Sequence, residues 1–168
     1  MSQTFSPVTI EPQSINPDVE IAWVNRGRWT SSRDLTHIAN PATGDLRNKT
    51  WALYCTNFQM TGLPGVISGL QLDISVDRYG RIADEQIQLT YQGSPIGKNN
   101  FVYLTDVDGN LPIKNTSSYG GPTDLWATEL TADMLQDPSF GVILKFQSHP
   151  YYPHRCGVNL STVQLTVY

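Results

Sequence analysis

Two stretches alternate apolar and polar side chains with a period of two. That period belongs to strands with one buried face. In the first, Leu70, Leu72, Ile74 and Val76 alternate without a fault against Gln71, Asp73, Ser75 and Asp77. In the second, Phe140, Val142, Leu144 and Phe146 alternate with Gly141, Ile143, Lys145 and Gln147. Thr50 to Met60 reads as another strand, with Trp51, Leu53 and Cys55 on one face and Tyr54, Phe58 and Met60 on the other. Glu85 to Gln92 follows, with Ile87, Leu89 and Tyr91 inward. The short loop Arg78-Tyr79-Gly80-Arg81 before it predicts an antiparallel hairpin with the Leu70–Val76 strand. In Cys156 to Tyr168 the apolar phase changes: Val158 and Leu160 belong to one phase, Val163, Leu165 and Val167 to the other. A phase change inside one strand predicts a β-bulge near Ser161.

The stretch Tyr119 to Leu144 organises the second half of the chain. Gly120, Gly121 and Pro122 mark a turn. A strand bearing Trp126 is expected after it. Thr131 can cap a short helix over 132–136, with Asp133 in its first turn, where a carboxylate suits the helix dipole. Asp137-Pro138 ends that helix, because the residue before a proline is pushed out of the α region. Seven or eight strands, one short helix and many turns, with no helices alternating between strands, predict an all-β fold. The expected form is an antiparallel β-sandwich, jelly-roll-like, spanning 21–168.

Ahead of it, Pro7, Pro12 and Pro17 block a helix and disfavour a central strand. Residues 1–20 therefore read as an extended N-terminal arm with apolar points at Val8, Ile10 and Ile15. Such an arm lies along its own domain or along a neighbouring subunit. Asn25 to Asn48 reads as a loop, used for contact or paired in part as an edge strand.

The chain has 168 residues, enough for one domain with its own core. Charged residues make up 15%, against about 25% in an average domain, so the surface is largely neutral-polar. Net charge is -4, and no basic stripe is present, which argues against nucleic-acid binding. No apolar run reaches the roughly 18 residues of a membrane span. The first ten residues have neither a basic nor an apolar segment, so no signal peptide is expected. Cys55 and Cys156 lie in no metal-binding or redox spacing; a disulfide between them requires neighbouring strands.

Several pieces, taken in order, resemble a β-sandwich module of virion proteins of tailed bacteriophages. They are GLPGVISGLQLDISV at 62–76, GSPIG at 93–97, YGGPTDLW at 119–126, DPSFGVIL at 137–144 and the final VQLTVY. The resemblance covers about Ala52 to Tyr168. It implies a structural role in a virion assembled in the host cytoplasm, as a tail, baseplate, fibre or capsid-surface component. The implied partners are other virion proteins and further copies of the chain. It carries no catalytic residues and no cofactor.

Contact residues are expected at three places. Val8, Ile10 and Ile15 lie on the arm, and Trp29 lies in the following loop. His149, Tyr151, Tyr152 and His154 form a proline-bracketed aromatic tip, and Tyr suits interfaces by joining an apolar body to a polar end. Trp29 and the two tyrosines also give an alternative, a module that stacks on host-surface glycan. Asp106-x-Asp108-Gly109-Asn110 begins like a calcium loop, but Ser117 stands where the bidentate Glu belongs. His149, His154 and Cys156 lack a fourth metal ligand. Nucleophile-elbow, zinc-protease and phosphate-loop motifs are missing, and no catalytic role is expected.

Overall fold

The computed structural model describes residues 2–14, 20–25, 29–33, 49–79, 82–102, 116–148 and 156–168. The fold is all-β, two mostly antiparallel sheets packed face to face, with one short helix among the described residues; the short β3–β6 pairing is parallel. In the first sheet, β4 (Val24–Asn25), β5 (Trp29–Arg33), β8 (Leu70–Tyr79), β11 (Thr116–Gly121) and β13 (Cys156–Val167) run in the order β11-β8-β13-β5-β4. The second sheet contains β3 (Glu20–Ile21), β6 (Lys49–Thr50), β7 (Ala52–Thr56), β9 (Ile82–Tyr91), β10 (Ser94–Ile96) and β12 (Gly141–Ser148). Its order is β10-β9-β12, with β6 and β7 both on β12.

With β6 and β7 counted as one strand interrupted at Trp51, and the two-residue strands β3 and β4 set aside, eight of these strands remain in a definite pattern. One sheet reads β11-β8-β13-β5 and the other β10-β9-β12-β7. From β5 onward the chain alternates between the sheets at every step except the β9–β10 hairpin. This is the strand order of a jelly roll. The expected pairing of the Leu70–Val76 strand with Glu85–Gln92 is therefore corrected. β8 pairs β11 and β13, β9 pairs β10 and β12, and the two strands lie in different sheets. Both strands carry one apolar face, and opposing those faces across the core buries both.

The core follows the alternation. Leu70, Leu72, Ile74 and Val76 from β8 meet Ile87 and Leu89 from β9 and Val142, Leu144 and Phe146 from β12, all fully buried. In β13 the register against β8 shifts between Leu160 and Thr162, the bulge that the phase change predicts. Val158, Leu160, Val163, Leu165 and Val167 consequently all enter the same core. β7 ends at Thr56, and positive φ at Asn57 (56°) and Gln59 (51°) redirects the chain. Phe58 and Met60 are thereby buried with Leu53 and Cys55 instead of facing away from them.

The helix α1 (Ala132–Gln136) has Thr131 as its N-cap, accepting from the Met134 N–H, with Asp133 in the first turn and Leu135 buried. Trp126 corrects one expectation. It lies in a turn, not a strand, with φ 57°, and is fully buried. Its indole N–H donates to the Leu70 carbonyl at 2.8 Å. The turn is pinned by Asp124, whose carboxylate accepts from the Trp126 N–H at 2.8 Å and from Lys98 at 3.1 Å. Gly120, at φ 76°, leaves room for this indole; a Cβ there would lie 2.5 Å from the ring nitrogen.

The N-terminal stretch is extended, and it is built into the sandwich. β1 (Gln3–Phe5) pairs with residues 165–167 of β13, and β2 (Thr9–Gln13) pairs with β7. Within the Asn25–Asn48 segment, β5 forms a hairpin with β4 and continues the first sheet; residues 34–48 lie outside the described residues. Trp23, between β3 and β4, packs edge-to-face on Phe146 at 6.1 Å where the chain passes from one sheet to the other.

Gly141 tests how closely β12 approaches β7 within the second sheet. A Cβ there would stand 2.1 Å from the Cys55 carbonyl, whereas one at Gly65 would meet nothing. Gly141→Ala is expected to cost at least about 1–3 kcal/mol in denaturant unfolding, as overpacking does, and Gly65→Ala to leave the midpoint within about 0.5 kcal/mol.

Candidate functional site

The register collects strand ends at one end of the sandwich. Tyr79 pairs with Gly157, Cys156 with Arg33, Ser148 with Ile82 and Gln147 with Lys49. The chain thus leaves and re-enters the described structure at this end around 34–48, 80–81 and 149–155. Beneath this end lies the most polar part of the interior.

The alternation of β8 does not stop at Val76. The next inward position is Arg78, and the strand runs on to Tyr79, through half of the segment read as a loop. In β9 the register against β12 shifts between Lys145 and Phe146, so that Lys145 faces Gln86 and Phe146 faces Asp84. That bulge turns Asp84 into the sandwich. Tyr119, from β11, completes the group.

The geometry is that of a closed clasp. Arg78 Nη2 donates to Asp84 Oδ1 at 2.7 Å, and Tyr119 Oη donates to Asp84 Oδ2 at 2.8 Å. The Val102 N–H donates to the same Oδ2 at 3.1 Å. Arg78 Nη1 donates to Ser117 Oγ at 3.1 Å, and its guanidinium lies over the Phe146 ring at 5.6 Å. Arg78 and Asp84 are only 7% and 2% exposed. Burial, and then the neighbouring Asp84 charge, push the Tyr119 hydroxyl well above its ordinary pKa, so it stays a protonated donor. The two side-chain bonds to Asp84 hold one sheet to the other: Arg78 and Tyr119 come from the first, Asp84 from the second. The arrangement neutralises a charge and holds no nucleophile or free base.

A second polar group covers the outer face of β12. Lys145, itself buried, pairs with Glu20 of β3, and Lys49 pairs with Glu85. Ser14 Oγ donates to Glu20 at 2.8 Å. Cys55 is a free, fully buried thiol whose pKa is pushed far up by burial. It lies in the second sheet, and the backbone of Cys156 lies in the first.

The contact residues expected from sequence fare differently. Val8 is exposed, at 61%. Ile10 packs against the core, opposite Cys55. Trp29 is placed by its backbone in β5, opposite Leu160. Ile15, His149, Tyr151, Tyr152 and His154 lie outside the described residues, as do Asp106 and Asp108. Trp23 and Trp126 are core residues and Trp51 is half-buried. Sequence marks Asp84 only beside Glu85 as a pair of adjacent carboxylates, and does not join it to Arg78 or Tyr119; continuing the β8 alternation by two residues finds Arg78, but nothing local marks the β9 bulge. Among the described residues no group of three or more His, Cys, Asp or Glu side chains is placed to hold a metal ion, and no helix is long and apolar enough to cross a membrane.

Comparison with known proteins returns no matching family model, no matching curated protein and no matching solved structure.

Removing one member of the clasp leaves the other charge buried without a partner. Asp84→Ala is expected to cost about 3–5 kcal/mol in urea unfolding, and the double variant Arg78→Met/Asp84→Leu to recover most of that loss. A double variant as unstable as the single one would show that the pair is not the source of the cost. Cys55 is expected to resist alkylation at pH 8 in the native protein and to react on unfolding, followed by peptide mass mapping.

Proposed function

We propose that this chain is a structural subunit of a tailed-phage particle, acting through contacts with copies of itself and with other virion proteins. The observation that carries the reading is the strand order. Two sheets ordered β11-β8-β13-β5 and β10-β9-β12-β7 make a jelly roll, an architecture used by viral shell proteins and by lectins. Trp23 and Trp126 are buried and Trp51 is half-buried, so none of these three indoles forms an exposed platform for a sugar.

The charge-poor composition fits the same role, since few charged side chains need desolvation where subunits meet. The ordered pieces GSPIG, YGGPTDLW and DPSFGVIL are the sequence side of the argument. They form β10, the end of β11 with the Trp126 turn, and the entry to β12.

The reading is tested by light scattering of the purified chain over a range of concentration, together with antibody labelling of intact particles. A closed oligomer and labelled particles are expected. A chain that stays monomeric and is absent from particles overturns the proposal.

A further inference from the structure

The eight strands that make the jelly roll close their pattern without residues 2–14. β1 and β2 are additions to it. β13 is flanked by β5 only along 156–160, and β1 takes the place beside it at 165–167. β2 lies on β7, on the side away from β12. The arm therefore bridges the same lateral edge of both sheets.

Its contacts are those of a donated strand. Three register pairs join β1 to β13, and five join β2 to β7. Thr4 Oγ1 and Thr166 Oγ1 are 2.9 Å apart, Gln3 Nε2 donates to the Gly62 carbonyl at 2.9 Å, and the Val8 N–H donates to the Asn57 carbonyl at 3.1 Å. Phe5 and Ile10 supply the apolar anchors on the core. Every one of these partners lies at 52 or beyond, in the body of the sandwich. The seat thus recognises the segment 3–13, whichever copy of the chain brings it.

What joins arm to body is short. Ser14 is hydrogen-bonded to Glu20, and Glu20 is held to the body by Lys145. Opening the Ser14–Glu20 bond lets the six steps between these residues span about 20 Å at roughly 3.4 Å each. Among the described residues β2 also ends the sheet. Pro12 lies within it and has no N–H to give, which suits an outermost strand and disfavours a further one.

We propose that the edge formed by residues 165–167 of β13 and by β7 is a strand-acceptor site for residues 3–13 of a second copy of this chain, so that neighbouring subunits exchange their arms. The proposal rests on the assembly reading for its setting. At high local concentration the neighbour's arm competes with the chain's own, which a short linker otherwise holds at an effective concentration in the millimolar range.

The test uses full-length chains. Thr4→Cys is placed in one tagged chain and Thr166→Cys in another, untagged one. The two are unfolded together in reductant, refolded at on the order of 1 mM, about the arm's own effective concentration, and oxidised. Exchange gives a disulfide-linked pair containing one chain of each kind. It is absent from mixtures of the parent chains and from either variant alone. The chain carrying both substitutions, refolded dilute, should close its disulfide within itself, as the Thr4–Thr166 contact requires.

Internal closure of the double variant with no mixed pair overturns the proposal. Failure of the double variant to close overturns it too, because the seat is then not filled as described. Light scattering of the same samples separates the two claims. Oligomers without a mixed disulfide leave the assembly reading standing and remove arm exchange; monomers throughout remove arm exchange, and the labelling of particles then decides the assembly reading.

Discussion

The structure depends on opposing two apolar sheet faces, each drawn from strands that alternate strictly. β8 and β13 supply one face, β9 and β12 the other, and the side chains between them are almost wholly excluded from water. Burying a residue such as Leu72 or Leu144 contributes roughly 1.5–3 kcal/mol, and each sheet has half of the partners it needs. Neither sheet can bury its own face alone. The alternation of the chain between sheets from β5 onward follows from this: successive strands, each half-apolar, are used on opposite sides of one core.

Two bulges set the details of that core. The one in β13 brings residues of both phases inward and lets a long final strand serve the core along most of its length. The one in β9 has the opposite effect, because the residue it turns inward is a carboxylate. The interior answers with Arg78 and Tyr119. The clasp that results ties β8 and β11 to β9, with Phe146 of β12 beneath the guanidinium. A buried ion pair is a weak source of net stability, but it penalises any register that would separate its members. This clasp accordingly fixes the relation between the sheets at the end where the strand ends gather.

At the opposite end, order comes from Trp126 and the glycines around it. The indole fills the space beside β8, Asp124 fixes the turn that carries it, and Gly120 stands where any Cβ would strike the ring. On the side of β13 and β7, the N-terminal residues complete both sheets with backbone bonds. The sandwich is thus held at two ends and along one edge by unlike interactions: a charge network, an aromatic plug and an added pair of strands.

Much of the fold is written in the sequence because its signals are local. The period of two in Leu70–Val76 and Phe140–Gln147, the phase change at Ser161, and Thr131 and Pro138 around a short helix each concern residues that are neighbours in the chain. They determined the strands, the bulge in β13, the helix and the all-β class. Strand partners are another matter. β8 and β9 are adjacent in sequence and look like a hairpin, yet they lie in different sheets, because covering two apolar faces outweighs the local convenience of a tight turn. The meeting of Arg78, Asp84 and Tyr119 escapes a sequence reading for the same reason. It depends on a bulge and on strand order, which arise only when the whole core is assembled. The arm shows both sides: its prolines determined that it is extended, and only the tertiary structure decided that it completes the two sheets, since edge pairing needs a finished edge.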